Sequence, residues 1–184
     1  MRARLITAVG AAVIIGGLVP GSLAGATPTP TGGAVRVWVK PSSTTTSAKR
    51  PGSVLFTGAI GDYGRSVTSN ATGKPTKKGA YKLLRLQKGT IIVNGTTLNN
   101  ALKQAFTRPT LNSTNCSVAI SATAPVQMVK GTGAYVGISG SVVITASFGA
   151  VVPKSKSGSC TLKTATKPLA QYTSIFGSGT VSFS

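Results

Sequence analysis

Apolar and polar residues alternate with a period of two along much of the chain, which is typical of β-strands with one buried face. The pattern begins at Val35, Val37 and Val39, which alternate with polar-leaning neighbours. It is most regular after residue 115, where one face carries only apolar or small residues: Cys116, Val118, Ile120, Ala122, Ala124, Val126 and Met128. The alternation predicts an all-β protein.

The stretch over 131–141, GTGAYVGISGS, is rich in glycine. Its spacing, G-x-G-x-x-x-G, differs from the dinucleotide-binding fingerprint, and it lacks the Gly-Lys-Ser/Thr ending of a phosphate-binding loop. The even positions over 134–150 are instead apolar or small, whereas the odd positions, which include Tyr135, are mainly hydroxyl residues and glycine. We therefore predict a turn over 130–133 and then a long strand that bends at Gly137 and Gly140.

The remaining segments predict short strands and one helix. Strands are expected over 34–40, 54–60, 81–86, 90–93, 160–164, 171–176 and 180–183. Gly61-Asp62-Tyr63-Gly64 is expected to be a turn. A helical period over 98–106 predicts one short helix, with Thr97 as its N-cap and Pro109 as its stop. Many short strands with one helix indicate an antiparallel barrel or sandwich, and we predict a single antiparallel β-barrel of about eight strands.

The chain begins with the pattern of an export signal. Arg2 and Arg4 precede an apolar run over 5–18, and Ala24-Gly25-Ala26 fits a signal-peptidase site. The apolar run is shorter than the roughly 20 residues that span a bilayer. The predicted organisation is a signal peptide over residues 1–26, a flexible linker over 27–33 and a β-barrel domain over 34–184. No later segment predicts a transmembrane helix, so a secreted protein, extracellular or associated with the cell envelope, is expected.

The two cysteines, Cys116 and Cys160, are expected to form a disulfide because an exported protein leaves the reducing cytoplasm. Zinc is the alternative, but two cysteines cannot complete a four-ligand site in a chain without histidine. Folding the predicted hairpins brings Cys116 near Ser147 and Cys160 near Gly149, so both cysteines reach the same end of the barrel. No metal and no cofactor is predicted.

The charge balance is almost entirely positive. The chain has 20 lysines and arginines against one acidic residue, Asp62, and its formal net charge is +19. Such a surface attracts anionic cell-envelope polymers, anionic lipid head groups and, without sequence preference, nucleic acid; solubility alone is the alternative explanation. The candidate anion-binding residues are Lys74, Lys77, Lys78, Lys82, Arg85, Lys88, Lys154 and Lys156.

The residue types present exclude most familiar active sites. Without histidine or glutamate, the chain cannot form a Ser-His-Asp triad or the carboxylate pair of glycoside hydrolases. Asp62 is the one weak candidate for a general base, and it would need a pKa tuned by burial. Hydrogen-bonding its own turn is the commoner role for an aspartate in such a segment.

Residues 129–146, VKGTGAYVGISGSVVITA, resemble the glycine-punctuated hairpin of the allene oxide cyclase and dirigent-like β-barrels. In that hairpin a G-T-G turn leads into a strand with an aromatic residue and a G-x-x-G. The layout is also similar to uncharacterised secreted actinobacterial proteins of this barrel type. The resemblance implies a β-barrel. For the enzymes of the family it also implies a pocket with acidic side chains, of which this chain offers only Asp62.

Two functions are consistent with these features. The first is a non-catalytic secreted barrel that binds a small apolar ligand in an interior lined by residues such as Phe148, or binds anionic surfaces through its basic loops, or both. The second is a cyclase or isomerase that acts on a hydrophobic substrate inside the barrel, with Asp62 at the mouth of the cavity.

Overall fold

The computed structural model describes residues 31–41, 52–161 and 167–184. Several predicted segments lie outside these residues: the signal peptide over 1–26, residues 27–30 of the linker, and residues 162–164 of one predicted strand.

The described residues form nine β-strands and one α-helix. These are β1 (Gly33–Lys40), β2 (Gly52–Gly58), β3 (Asp62–Ser69), β4 (Tyr81–Leu86), β5 (Gly89–Asn94), α1 (Thr96–Thr107), β6 (Thr110–Asn112), β7 (Ser117–Gly133), β8 (Ser139–Val151) and β9 (Ala170–Ser182). Eight strands close a barrel in the order β1-β2-β3-β4-β5-β7-β8-β9, and β6 pairs with the part of β7 that extends beyond β5. All pairings are antiparallel, so the predicted eight-stranded antiparallel barrel with one helix is confirmed.

The core lies inside the barrel, where the alternating apolar residues of most strands meet. Val35 and Val37 of β1 pack in one cluster with Val54 and Phe56 of β2 and with Ile91 of β5. Each such side chain stabilises the fold by about 1.5–3 kcal/mol when it is fully buried. This part of the interior is therefore filled by packed side chains.

The turn predicted over residues 61–64 is wrong, because Asp62 already begins strand β3. The chain turns earlier, over 59–61, where the buried Ile60 joins the core. Gly64 lies within β3, and a Cβ atom there would come 1.8 Å from the carbonyl oxygen of Arg85. This glycine is needed for the close approach of β4, so its presence in the sequence did not mark a turn.

The turn predicted over 130–133 also lies later in the chain. Strand β7 continues to Gly133, and residues 134–137 form the turn before β8. Gly137 supports this turn with a φ of 75°, which favours glycine. Tyr135, predicted on the polar face of a strand, is instead buried, whereas the side chain of Val136 is 65% exposed. After Ser139 the predicted apolar face of even positions is confirmed.

The disulfide between Cys116 and Cys160 is confirmed, with a Cα–Cα distance of 5.3 Å. The predicted neighbours of the cysteines are wrong, because the later turn shifts the pairing of β7 with β8. The carbonyl of Cys116 accepts a hydrogen bond from the Val152 N–H at 3.0 Å. The backbone of Cys160 forms an isolated antiparallel β-bridge with that of Lys154. The inference that both cysteines reach the same end of the barrel holds.

Two further boundaries differ from the prediction. Helix α1 has Gly95 as its N-cap, and Thr97 lies in its first turn. The side chain of Asn94 instead accepts the N–H of Thr96 at 3.0 Å. The two strands predicted after residue 170 form one strand, β9, because its internal glycines remain paired with β8.

We expect Gly179→Ala to destabilise the barrel by about 1–3 kcal/mol, the usual cost of overpacking. A Cβ atom at this position would lie 2.0 Å from the carbonyl oxygen of Ser141 on the neighbouring strand. Gly149→Ala is the matched control, because nothing lies within 4 Å of its added Cβ. Urea unfolding should show a loss of stability for Gly179→Ala alone, and equal stabilities of the two variants would contradict the close approach.

Candidate anion-binding cleft on the barrel wall

Outward-facing side chains of four adjacent strands form a continuous apolar row on the barrel wall. Phe176 lies opposite Trp38, Trp38 lies opposite Leu55, and Leu55 lies opposite Tyr63. The four side chains, called here the apolar row, are between 44% and 60% exposed. Single exposed apolar residues are common on soluble proteins, but a contiguous patch usually marks a site of interaction.

A second row, two residues further along the strands, carries positive charge. It contains Lys40 of β1, Arg65 of β3 and Arg85 of β4, all exposed, and is called here the cationic row. Arg65 and Arg85 lie directly opposite each other. The Cβ atoms of such a pair are about 5 Å apart, and two like charges in this position repel.

Nothing acidic in the chain offsets this repulsion. Asp62 is the only acidic side chain in the sequence, and it is buried. An anionic partner that contacts both guanidinium groups would remove the repulsion, and arginine binds carboxylate and phosphate groups through two parallel hydrogen bonds. The opposed arginines are therefore the candidate anion-binding pair of this surface.

A cleft of about 1520 Å³ joins most of the two rows. Its wall contains the whole cationic row and, from the apolar row, Trp38, Leu55 and Tyr63. It also includes Phe148 and Tyr172. Phe148, the interior residue predicted to contact an apolar ligand, therefore lies on the wall of this cleft.

The structure brings only one of the predicted anion-binding residues, Arg85, into the cationic row. Lys74, Lys77 and Lys78 lie in the loop between β3 and β4, and Lys154 and Lys156 lie in the connection after β8. These positions are exposed but are not on the cleft wall.

Lys82 and Lys88 also have other surroundings. The Nζ of Lys82 donates to the Oγ1 of Thr68 at 2.8 Å, and burial lowers the pKa of this lysine. The backbone N–H of Lys88 donates to the Oδ2 of Asp62 at 3.0 Å, while its side chain is outside the cleft wall. Neither residue belongs to the arginine pair.

Sequence reasoning missed Arg65, Lys40 and the apolar row. Arg65 was overlooked because the segment before it was predicted to be a turn, so strand β3 was not recognised. The sequence around them carries no shared signal, because Arg65 is flanked by Gly64 and Ser66 whereas Arg85 is flanked by Leu84 and Leu86. The register that pairs them could not be read from the sequence.

Asp62, the weak catalytic candidate, occupies a buried network of hydrogen bonds. Its Oδ1 accepts the N–H groups of Tyr63 at 2.7 Å and Gln87 at 3.3 Å. Its Oδ2 accepts the N–H of Lys88 and, at 2.5 Å, the hydroxyl of Tyr135. Both carboxylate oxygens are thus engaged, and they join β3 to the β4–β5 turn and to the turn before β8.

These contacts set the acidity of both side chains. Burial acts to raise the pKa of Asp62, but the hydrogen bonds from Tyr135, Lys88, Tyr63 and Gln87 outweigh it and hold the pKa below its ordinary value of 3.8. Burial, the hydrogen bond to Asp62 and the charge of Asp62 together raise the pKa of Tyr135. A carboxylate that is this well solvated by donors is a poor proton acceptor, so the geometry is that of a structural link.

No protein-family model, no curated protein and no solved structure matches this chain. Over the ranges that the structure describes, α1 is too short and too polar to cross a bilayer.

We expect Asp62 to account for much of the loss of stability in acid. Because its pKa in the folded state is lowered, ionised Asp62 stabilises the fold above pH 3.8, and this contribution disappears as the pH falls through the folded-state pKa. Asp62→Asn should be less stable than the parent at neutral pH, and the two should converge in acid. Urea unfolding across the pH range measures this, and a constant difference would contradict it.

Tyr135→Phe tests the same network without changing charge. It removes one hydrogen bond to a charged group, so it should cost about 2 kcal/mol at neutral pH. Tyr172→Phe is the matched control, because Tyr172 is 74% exposed. An unchanged midpoint for Tyr135→Phe would show that the hydroxyl contributes nothing to stability.

Proposed function

We propose that this protein is a non-catalytic secreted binding protein. Its partner carries negative charge beside an apolar surface, and it binds along the cleft. The observation that carries the proposal is the directly opposed pair of Arg65 and Arg85 next to the apolar row. Each row alone has an ordinary explanation, but their adjacency matches a single partner with both properties.

The charge of the chain supports an anionic partner. Of the 21 charged side chains, only Asp62 is negative, and its carboxylate is occupied inside the protein. The outer wall therefore presents cations without interspersed anions, which raises the local concentration of polyanions and speeds their association. Solubility alone does not require charges of a single sign, since soluble surfaces usually mix both signs.

The apolar part of the proposed partner has its place outside the packed interior. The core cluster fills the barrel around Ile91 and Val142. A small apolar ligand would instead contact Trp38, Leu55 and Phe148 on the wall of the cleft. The expected apolar ligand is thus kept in the proposal, but its site is the cleft and not the barrel interior.

A cyclase or isomerase is supported less well. Asp62 is 5% exposed and is absent from the cleft wall, although its neighbours Tyr63 and Gln87 contribute to it. To act as a base it would have to release donors on which the barrel depends. Membership of the allene oxide cyclase and dirigent-like barrels remains a prediction based on residues 129–146.

Binding can be followed by the fluorescence of Trp38, because it is the only tryptophan in the chain and lies in the cleft. We expect inorganic polyphosphate to change this fluorescence with an affinity that falls as salt is added. The double variant Arg65→Gln/Arg85→Gln should weaken binding by about tenfold or more, as expected for two lost charge-assisted contacts.

Lys103→Gln/Lys130→Gln is the matched control. It removes the same net charge from exposed positions on α1 and β7, neither of which is on the cleft wall. Equal weakening in both double variants would mean that net charge alone attracts the polymer, and the proposed site would then be wrong. Binding that does not respond to salt would equally contradict it.

A further inference from the structure

We infer that the apolar row is a docking face for an anionic lipid bilayer, with the cations around it contacting the head groups. This inference rests on the proposed function and names its partner. The observation behind it is the order of side chains along the strands. On the outer face of β1, Trp38 stands between Arg36 and Lys40, and on β3, Tyr63 is followed by Arg65.

That order matches the layers of a membrane surface. Tryptophan and tyrosine favour the boundary between head groups and acyl chains, because each has an apolar ring and a polar group. Arginine and lysine reach the anionic head groups from beside them, and each such cation near the surface adds to the attraction. Here the cations stand on both sides of Trp38, so they can contact head groups while the ring enters the boundary.

Leu55, the aliphatic member of the row, favours a bilayer over a nucleic acid as the partner. Leu55 lies between Trp38 and Tyr63 in the cross-strand register. A single-stranded nucleic acid would need successive rings on which its bases stack, and a leucine interrupts that platform. A leucine gains by entering the acyl region, as do Phe176 and Trp38.

A second copy of the chain is a poor occupant. Pairing this face with itself would bring Arg36, Lys40, Arg65 and Arg85 against their own equivalents, and the chain offers no exposed acidic side chain to balance them. The four strands place the ends of the row about 14 Å apart, from three spacings of about 4.8 Å. A narrow strip of this kind suits peripheral binding, with the barrel resting on the membrane by one side.

The test compares two kinds of vesicle, phosphatidylcholine alone and phosphatidylcholine with phosphatidylglycerol in equal parts. The test uses the full-length protein. We expect binding only to vesicles with phosphatidylglycerol. We also expect lipid brominated in the acyl chain to quench the fluorescence of Trp38, because bromine quenches at short range and the ring should lie at the acyl boundary.

Leu55→Ser/Phe176→Ser should weaken vesicle binding by about tenfold or more, since the affinity of interfacial binding scales with buried apolar area. Leu111→Ser/Val136→Ser is the matched control, as it removes two exposed apolar side chains outside the row. Circular dichroism verifies that each variant is folded.

The outcomes separate this inference from the proposed function. If Trp38 responds to polyphosphate but vesicles do not bind, or bind without quenching by bromine, the bilayer inference is overturned and the proposed function stands. If neither polyphosphate nor vesicles bind, both fail. A dimer that shields Trp38 without lipid would identify a second copy as the occupant and would also overturn the inference.

Discussion

The closed barrel depends on the carboxylate of Asp62. In one buried position it accepts backbone N–H groups from the β4–β5 turn and the hydroxyl of Tyr135 from the turn before β8. The seam between β5 and β7 begins beside these contacts, where Gly89 pairs with Gly133 and the N–H of Ala134 donates to the carbonyl of Lys88. The carboxylate thus joins the beginning of β3 to both strands of the seam.

Because the only acidic side chain, Asp62, is buried, the charged side chains left for the surface are all basic. Had Asp62 been on the surface, it could have paired with one of the 20 basic side chains. Its burial leaves the arginines of β3 and β4 facing each other without compensation. The repulsion between them is small in water, because solvent screens exposed charges. An anionic partner that relieves this repulsion nevertheless gains that free energy on binding. Asp62 thus supports the barrel and, by being buried, leaves the arginine pair of the cleft without a negative neighbour.

Much of the fold could be predicted because its signals are local. The alternation after Cys116 and the helical period after Asn94 both describe neighbouring residues, and both correspond to elements of the structure. Errors arose where a distant partner decides the outcome. Tyr135 continues an alternating pattern, yet it is buried because its hydroxyl reaches Asp62, which is 73 residues away. Likewise, Gly64 lies in a strand because β4 approaches it closely.

The candidate site was less predictable than the fold for the same reason. Arg85 was identified as a basic residue near others in sequence, but its important neighbour, Arg65, is brought to it by strand pairing. The apolar row has no trace along the chain, because its four members belong to four strands. A surface assembled across strands is visible only once the register is known.

The pairing of β1 with β9 has a consequence for how the barrel forms. Among the described residues these are the first and the last strands in chain order, and Gly33 lies opposite Val181. Every barrel strand between them can pair with a barrel strand made earlier, but the ring has two open edges until β9 arrives. Open edges recruit other chains, and contacts between distant residues form slowly. Assembly of this barrel should therefore be late and concerted, with the unfinished ring as its most aggregation-prone species.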